Sequence, residues 1–349
     1  MNASPYHERL NEALSIPDTA KGLALDGAGP FGRLEWFVLL AEHCFAGAGA
    51  RLVVAGVPGR EAALALVPQA PRRLTALVNW YGFRFGPLGA GGADLASLTR
   101  LAEALAAEAD AVSLAQLPLD DARRLVASFR RAGWHVFAEP CDTNHHIRLA
   151  GRSFAEYWAS RPGAMRETVR RKGRKGLVSL TLSDRFSPAQ WDAYEAIYAR
   201  SWKPEEGSPA FLRAFAEAES AAGRLRLGLA TIAGEPVAAQ VWTVEGGTAF
   251  IHKLAHDEAA KTHSPGTLLS AAMFEQAIDR DRVDEIDFGT GDNPYKRDWM
   301  DAVRLRYRLE AFRPMAPRAW PRLARRWAAC VRDRRPPVAP ELVSTADAG

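Results

Sequence analysis

Three apolar segments joined by very short turns constrain the fold of this chain more than any other feature. Residues 225–232, 237–244 and 248–255 have the length and apolar content of β-strands. The connections at 233–236 and 245–247 are short and contain glycine, so both favour tight turns. Consecutive strands joined in this way run antiparallel, and we therefore predict a three-stranded meander.

The sequence on both sides of this meander completes a mixed α/β pattern. Three predicted helices begin with a Ser-Pro pair at Ser187, Ser208 and Ser264, and Gln190 would complete a capping box with Ser187. The other predicted elements of this half are a basic helix at 153–172 and strands at 177–182, 283–288 and 304–312. The resulting order is β, α, α, β, β, β, α, β, β.

The first half of the chain also alternates between helices and strands. We predict helices at 34–44, 95–107 and 120–132, and strands at 51–57, 62–68, 74–85, 111–114 and 134–139. This alternation is typical of a mixed α/β domain. No catalytic motif is evident in it.

Composition excludes several classes of protein. With 48% hydrophobic and 25% charged residues, the chain is of ordinary globular composition. It has no apolar stretch of transmembrane length, and its N-terminal sequence does not resemble a secretory signal. Cys44, Cys141 and Cys330 are widely separated and odd in number, which favours reduced thiols over a disulfide framework or a zinc site. We therefore expect a cytoplasmic protein.

Positive charge is concentrated in two segments. Residues 161–175 contain seven basic residues against Glu167, and residues 313–335 contain eight arginines against Asp333. Such clusters attract phosphates, nucleic acid or anionic membranes. A solvated helix face is the alternative interpretation of each cluster.

The order of elements, together with one loop, resembles the GNAT superfamily of acyltransferases. In that family a loop of the form Q/R-x-x-G-x-G/A binds pyrophosphate before the helix that follows the meander. The same place here reads KTHSPG, where Lys261 and Gly266 match and Ser264 replaces the first glycine. The resemblance implies that the fourth core strand splays from the fifth and that acyl-CoA lies in the gap. The implied contacts are Lys261, Ser264, Gly266, Thr267 and Leu268.

This loop suits an anion on physical grounds as well. A helix N-terminus presents N–H groups without intrahelical partners and the positive end of the helix dipole. Pro265 occupies a position whose N–H no helical bond needs, Gly266 permits close backbone approach, and Thr267 adds a hydroxyl. The alternative is an ordinary Ser-Pro helix start.

Further motifs in the second half narrow the resemblance. They are Tyr157-Trp158, the basic run at 166–175, YARSWK at 198–203, SPG at 264–266 and DFGTGDNPYKRDW at 287–299. In this order they resemble acetyltransferase-like proteins grouped with CelD/BcsL, found near cellulose and exopolysaccharide genes, and more distantly the FemAB aminoacyl transferases.

The resemblance covers residues 30–315 and implies an α/β protein of two tandem GNAT-like halves, of which the second is catalytic. The predicted organisation is an N-terminal extension at 1–29, a degenerate GNAT-like domain at 30–150, a GNAT acyltransferase domain at 151–315, and a basic helix with a disordered tail at 316–349.

Segment 287–299 contains the candidate catalytic residues. We expect Tyr295 to protonate a leaving thiolate. Lys296 matches a basic position in FemAB-like relatives and would stabilise either developing negative charge or a substrate phosphate. Asp287 or Asp292 would orient or deprotonate an amine. The alternative is a structural loop in which Lys296 and Arg297 pair with Asp298.

Four further residues are candidates for substrate binding: Arg170, Trp202, Lys203 and His252. Strand alternation places His252 on one face with Phe250 and Leu254, so a packed, hydrogen-bonded histidine is the alternative to a base. Trp202 could equally cap the preceding helix. We expect no metal site, because the histidine pair at 145–146 lacks partners at ligand spacing.

These observations predict direct transfer of an acetyl or longer acyl group from acyl-CoA to an amine or hydroxyl of a small-molecule or saccharide acceptor. No cysteine lies in the motifs, so no acyl-enzyme is expected. One alternative is a FemAB-like aminoacyl transferase that uses charged tRNA, the one case in which nucleic acid would be a partner. The other is a non-catalytic scaffold for polysaccharide synthesis, held at the inner membrane by the basic C-terminal helix.

Overall fold

A computed structural model describes residues 13–20, 29–57, 59–89 and 93–343. Its strands are β1 (Arg51–Val57), β2 (Arg60–Ala70), β3 (Arg73–Ala76), β4 (Ala111–Leu117), β5 (His135–Arg148), β6 (Val178–Ser183), β7 (Leu225–Ile232), β8 (Glu235–Glu245), β9 (Thr248–His256), β10 (Glu285–Thr290) and β11 (Ala302–Phe312). Its α-helices are α1 (Leu34–Cys44), α2 (Leu95–Glu108), α3 (Leu119–Arg131), α4 (Phe154–Ala159), α5 (Gly163–Gly173), α6 (Pro188–Ala199), α7 (Pro209–Ala221), α8 (Pro265–Glu275), α9 (Pro294–Trp299) and α10 (Trp320–Arg332).

The chain folds as two compact units. The first unit contains the residues up to Thr143 together with those from Leu305 onward, and the second unit contains Asn144–Arg304. The chain thus passes from one unit to the other inside β5 and again inside β11. The predicted N-terminal extension at 1–29 lies mostly outside the described residues.

The predicted meander is confirmed and forms the middle of the second unit. Strands β6, β7, β8 and β9 pair antiparallel in that order. Strand β10 follows α8 and lies parallel to β9, and the last residues of β5 pair antiparallel with β10. A parallel neighbour needs a crossover, and α8 provides it.

Strands β9 and β10 separate after a short paired stretch. Among the described residues of both strands, the pairs are Glu285 with Thr248, Ile286 with Ala249, and Asp287 with Phe250. Beyond these pairs β9 continues to His256 and β10 to Thr290. The two strands therefore diverge and leave an opening at the carboxyl end of β10.

Helix α8 packs on the meander through unusually close contacts. A Cβ on Gly228 of β7 would lie 2.8 Å from Met273 Sδ and 3.0 Å from Leu269 Cδ1, both on α8. On β8, the Gln240 side-chain amide donates to Ser270 Oγ at 2.6 Å and accepts from Trp242 Nε1 at 2.9 Å. This close packing fixes the position of the start of α8.

Aromatic side chains from distant motifs meet beneath α8. Tyr157 and Trp299 both stack on Phe274, and the Tyr157 hydroxyl donates to the Trp299 carbonyl oxygen at 3.0 Å. Trp158 lies 5.9 Å from Trp299, ring centre to ring centre. These motif residues therefore build the core that supports α9.

Two predicted elements of the second unit differ in the structure. The basic helix predicted at 153–172 is divided into α4 and α5, because Pro162 lacks an N–H and disfavours helical geometry in the residue before it. Ser187 makes no side-chain cap, so the predicted capping box is wrong, whereas the Ser208 side chain accepts from the backbone N–H of Phe211.

The first unit repeats the order of the second. Strands β1, β2 and β3 pair antiparallel, α2 follows, and β4 lies parallel to β3. Strand β11 then pairs antiparallel with β4, as β5 pairs with β10 in the second unit. The predicted strand at 74–85 ends at Ala76, and its apolar character reflects burial of Leu77, Phe83 and Phe85 in non-strand backbone.

Helix α10 packs against the first unit. Its Trp327 ring lies 5.4 Å from that of Phe137, and Arg326 forms 2.9 Å ion pairs with Glu139 and Glu310. The chain then continues to buried Leu342, so the predicted disordered tail is wrong up to residue 343, and residues 344–349 lie outside the described residues. The predicted membrane contact of this helix stays a prediction, and its Trp320, Trp327 and Val331 side chains are exposed.

We expect Gly228→Val to lower the free energy of unfolding by about 1–3 kcal/mol, because the added methyl groups overpack the contact with Met273 and Leu269. Urea denaturation followed by circular dichroism would measure the change. The matched control is Gly163→Ala, where an added Cβ meets nothing within 4 Å. Equal stability of Gly228→Val and the wild type would contradict the close packing of α8.

Candidate active site

The start of α8 lies at one side of the opening between β9 and β10. Ser264 precedes it with φ 55° and ψ 42°, a left-handed conformation, and its side chain makes no capping hydrogen bond. Glycine adopts this conformation without strain, whereas other residues do so at a cost. The serine that replaces the family glycine therefore keeps the backbone geometry for which glycine is suited.

The other predicted cofactor residues surround this turn. Lys261 is exposed and pairs with Glu258 at 3.4 Å, so its ammonium reaches solvent. Thr267 is half-buried in the first turn of α8, and Leu268 is buried in the core. Lys172, at the end of α5, donates to the Thr262 carbonyl oxygen and brings the basic run beside this loop.

The rings of His256 and Trp202 lie between the loop at 261–266 and the segment that follows α6. A Cβ on Gly266 would lie 3.4 Å from Nδ1 of His256, which is an ordinary contact. The Trp202 ring lies 4.4 Å from the His256 ring, and Trp202 is 49% exposed. Burial lowers the pKa of His256, so the ring is neutral at pH 7. Because a Cβ on Gly266 would make only the ordinary contact with His256, the fold itself does not require glycine at 266.

Asp287 stands where β10 leaves β9 and is held by three donors. Its Oδ1 accepts from Asn144 Nδ2 at 2.7 Å and from the Gly289 N–H at 2.8 Å, and its Oδ2 accepts from Arg304 Nη2 at 2.6 Å. Arg304 also pairs with Glu285 at 2.7 Å. These bonds favour a positioning role, and the catalytic role of Asp287 stays a prediction.

Lys296 turns back from α9 toward the end of β10. It is 5% exposed, and its ammonium donates to the Thr290 carbonyl oxygen at 2.6 Å. The same ammonium lies 5.5 Å from the centre of the Phe288 ring. The predicted alternative, an ion pair between Lys296 and Asp298, is therefore not formed in the structure. Lys296 is a buried cation at the edge of the opening.

Tyr295 and Asp292 lie at the surface of the same loop. Tyr295 is 40% exposed and packs edge-on against Phe288, and desolvation raises its pKa to about 12. Asp292 accepts from Arg297 at 2.7 Å and lies 3.1 Å from Nε2 of buried His145. Hydrogen bonds from Arg297 and then His145 lower the pKa of Asp292, which is therefore ionised at neutral pH.

A β-bulge in β9 changes the direction of two neighbouring side chains. Val241 pairs with Lys253 and Trp242 with Ile251, so His252 has no partner position on β8. His252 consequently contacts Thr243 Oγ1 at 2.8 Å and the Phe215 ring on α7 at 5.0 Å, as a packed histidine does. Lys253 reaches Tyr198 on α6, 5.4 Å from the ring centre. A bulge re-aims side chains in this way.

Lys203 is the most unusual group near the opening. Its ammonium lies 5.9 Å from the centre of the Tyr198 ring and 5.8 Å from that of Trp202. Within the part of the chain that the structure describes, this ammonium has no hydrogen bond or ion pair. Desolvation, and then repulsion from Lys253, lower the pKa of Lys203 to about 8.

The predicted site residues therefore fall into two sets. Lys203, Trp202, Tyr295 and Lys296 lie around the opening, together with Asp287 and Asp292. Arg170 is instead exposed on α5 and paired with Glu167 at 2.6 Å. Sequence reasoning missed Asn144, Glu206, Lys253 and Arg304, since no local motif marks residues that meet their partners only in the tertiary structure.

A comparison of sequences matches part of the second unit to a known family. Residues 163–297 match the sequence model of a family described as an acetyltransferase (GNAT) domain. These residues form a GNAT domain. The match lies wholly inside the second unit, and the first unit repeats the same order of elements, so the chain has the tandem GNAT arrangement predicted above. No curated protein sequence matches the chain.

Solved structures share the fold at low identity. The C-terminal domain of a protein assigned as a lysylphosphatidylglycerol synthetase from Agrobacterium fabrum matches with a TM-score of 0.55 and 13% identity, over 93% of this chain and 97% of that one. L-PGS from Bacillus licheniformis matches with a TM-score of 0.53 and 14% identity, over 95% and 97%. FemX matches with a TM-score of 0.54 and 12% identity, over 78% and 94%. At such identities the likeness concerns the fold alone.

Two further properties of the described residues concern metals and membranes. Within them, no group of three histidine, cysteine or acidic side chains is arranged to hold a metal ion. None of the helices among them has the length and apolar character needed to span a bilayer.

We expect Ser264→Gly to raise the free energy of unfolding by about 1 kcal/mol, because glycine removes the cost of the left-handed backbone. Ser264→Ala should change it little, since the hydroxyl makes no cap. Chemical denaturation of both variants measures this. A loss of about 1 kcal/mol in Ser264→Ala would show instead that the hydroxyl caps α8.

We expect Lys203→Met to raise the free energy of unfolding at pH 7 by about 3 kcal/mol. The pKa of Lys203 is about 8 in the fold against an ordinary value of 10.5, so its charge opposes folding below pH 8. This opposition disappears as the pH rises from 8 to 10.5, and the two proteins should then converge. Urea denaturation between pH 6.5 and 10.5 measures the difference. Lys175→Met, at an exposed position, is the control. Lower stability of Lys203→Met at pH 7 would show that the fold stabilises the charge.

Proposed function

We propose that this protein is an acyltransferase that moves an acetyl or longer acyl group from acyl-CoA to an amine or hydroxyl. The observation that carries the proposal is the opening between β9 and β10 beside the start of α8, within residues that match a GNAT domain. The helix start offers N–H groups and a positive dipole end to the pyrophosphate of CoA. The opening would then hold the thioester.

The chemistry needs an attacking group, an oxyanion stabiliser and a proton donor. The acceptor nitrogen or oxygen would attack the thioester carbonyl, forming the new bond while the carbon–sulfur bond breaks. Asp287 or Asp292 is our candidate to accept the proton that the acceptor loses. Tyr295 is our candidate to protonate the departing thiolate, because a phenol with a pKa of about 12 keeps its proton at neutral pH. Lys296 is our candidate to stabilise developing negative charge. Most of the rate enhancement would come from positioning.

The biological setting is proposed from the resemblance to CelD/BcsL proteins. A role in cell-envelope or exopolysaccharide biosynthesis would suit a saccharide or small-molecule acceptor.

The direct test is calorimetric titration with acetyl-CoA and longer acyl-CoAs. We expect binding by the wild type and at least about tenfold weaker binding by Gly266→Ala, whose methyl group would obstruct the approach of a pyrophosphate to the backbone. The same variant should melt at an equal or higher temperature, because alanine favours a helix by up to about 1 kcal/mol over glycine. Weaker binding with unchanged stability would identify a glycine kept for a ligand.

Gly163→Ala is the matched control, since it adds the same methyl group at the start of α5 in open space. It should bind acyl-CoA as the wild type does. Equal affinities of Gly266→Ala and the wild type would remove the loop from the cofactor site. Failure of every CoA ester to bind would overturn the proposal.

One observation favours a second candidate, an aminoacyl transferase that uses charged tRNA. Arg170, Arg171, Arg174 and Lys175 are all exposed at the end of α5, as a surface for nucleic-acid phosphates would be. Binding of charged tRNA that weakens steeply with added salt, without binding of any CoA ester, would favour this candidate. Absence of both kinds of binding would leave the scaffold interpretation.

A further inference from the structure

Three lysines from three different elements lie around the opening of the second unit. Lys203 follows α6, Lys253 lies in β9 beyond the residues paired with β10, and Lys296 belongs to α9. The ammonium groups of Lys203 and Lys253 both lie within 6 Å of the Tyr198 ring centre. Lys296 is close enough to act electrostatically on Lys203. The fold therefore concentrates cations at one place.

The carboxylate that faces these lysines is that of Glu206. It pairs with Lys253 at 2.8 Å, and both side chains are largely buried. Among the described residues, the charged groups that act on Lys203 are the cations Lys253 and Lys296 and the carboxylate of Glu206. Burying the Lys203 ammonium beside like charges and without a hydrogen-bonding partner opposes folding, so a fold that keeps Lys203 there points to a ligand that supplies negative charge to it.

We propose that Lys203, Lys253 and Lys296 bind an anionic group of the acceptor, a phosphate or a carboxylate. Assignment of this group to the acceptor rests on the function proposed above, whereas the anion site itself does not. Lys203 is the member whose ammonium has no hydrogen-bonding partner among the described residues, so its three donors remain available. Half-exposed Trp202 forms the outer edge of the cluster and offers a ring face to the rest of the acceptor.

A different role for Lys203 would be that of a neutral amine that removes a proton from the acceptor. The two roles make opposite demands on its protonation. An anion that binds the cluster stabilises the ammonium form and raises the pKa of Lys203. A general base keeps its lowered pKa when anions are added. The charged groups that act on Lys203 are Glu206, Lys253 and Lys296, with neutral His256 and Tyr198 beside it.

The experiment is an NMR titration of the full chain labelled with ¹³C at the lysine ε carbon. The chain has seven lysines, so the Lys203 signal can be assigned by its loss in Lys203→Met. Its pKa is measured alone and with inorganic phosphate, inorganic pyrophosphate or acetate, at ionic strength held constant with sodium chloride. We expect at least one phosphate or carboxylate probe to raise the pKa by a unit or more, about a tenfold preference for the charged form. The phosphate and acetate arms distinguish the two chemistries.

Affinities of the effective probe provide the second readout. Lys203→Met should bind it at least about tenfold more weakly, and Lys203→Arg, which keeps the charge, should retain most of the binding. Arg185→Met removes an exposed cation of the same unit and should bind as the wild type does. Melting temperatures of all variants check that each is folded.

Two outcomes would overturn the proposal. One is a Lys203 pKa that stays the same with every probe, which would leave the neutral-base role. The other is loss of the anion effect when the protein is saturated with CoA, which would place the cluster in the cofactor site. A raised pKa in a protein that binds no CoA ester would support the anion site while the proposed acyl transfer fails, so the two failures are distinguishable.

Discussion

The second unit depends on one buried carboxylate. Asp287 is the last residue of β10 that pairs with β9, and it accepts hydrogen bonds from Asn144 on β5, from Gly289, and from Arg304 on β11. A buried carboxylate without such donors would cost several kcal/mol, so the three elements are bound to one geometry. The divergence of β9 and β10 begins at this residue. The shape of the opening is therefore set by an ion pair and its hydrogen bonds as much as by apolar packing.

Around Asp287, tightly packed helices lie beside a lysine whose charge opposes folding. Helix α8 is held by Gln240 and by its close contact with Gly228, and α9 rests on the aromatic core of Tyr157, Phe274 and Trp299. Lys203 has the opposite effect on stability, because its burial beside like charges lowers its pKa. Stability and the proposed function then make different demands on the same site.

Local patterns were sufficient for most of the elements. The meander, the helix after it and the helices of the first half lie where hydrophobic spacing and Ser-Pro starts put them, because backbone conformation there follows from near neighbours. Three segments differ from the predicted elements, because hydrophobic spacing alone does not account for the effects of proline, buried loops and capping geometry. Pro162 divides a helix, residues 77–85 are apolar without being a strand, and the Ser187 hydroxyl does not cap. Lys296 and Lys203 were recognised as candidates from motifs, but their contacts were not.

The sequence by itself determined the order of strands and helices, the tandem GNAT-like arrangement, and the loops in which we propose the chemistry. The tertiary structure alone decided which side chains meet. Asn144 and Arg304 reach Asp287, and Lys253 reaches Glu206, through strand pairing and a β-bulge that no short motif encodes. The physical reason is the range in sequence over which each interaction acts. Turns, caps and hydrophobic periodicity act over a few residues, whereas the burial and charge of a site are sums over segments far apart in the chain.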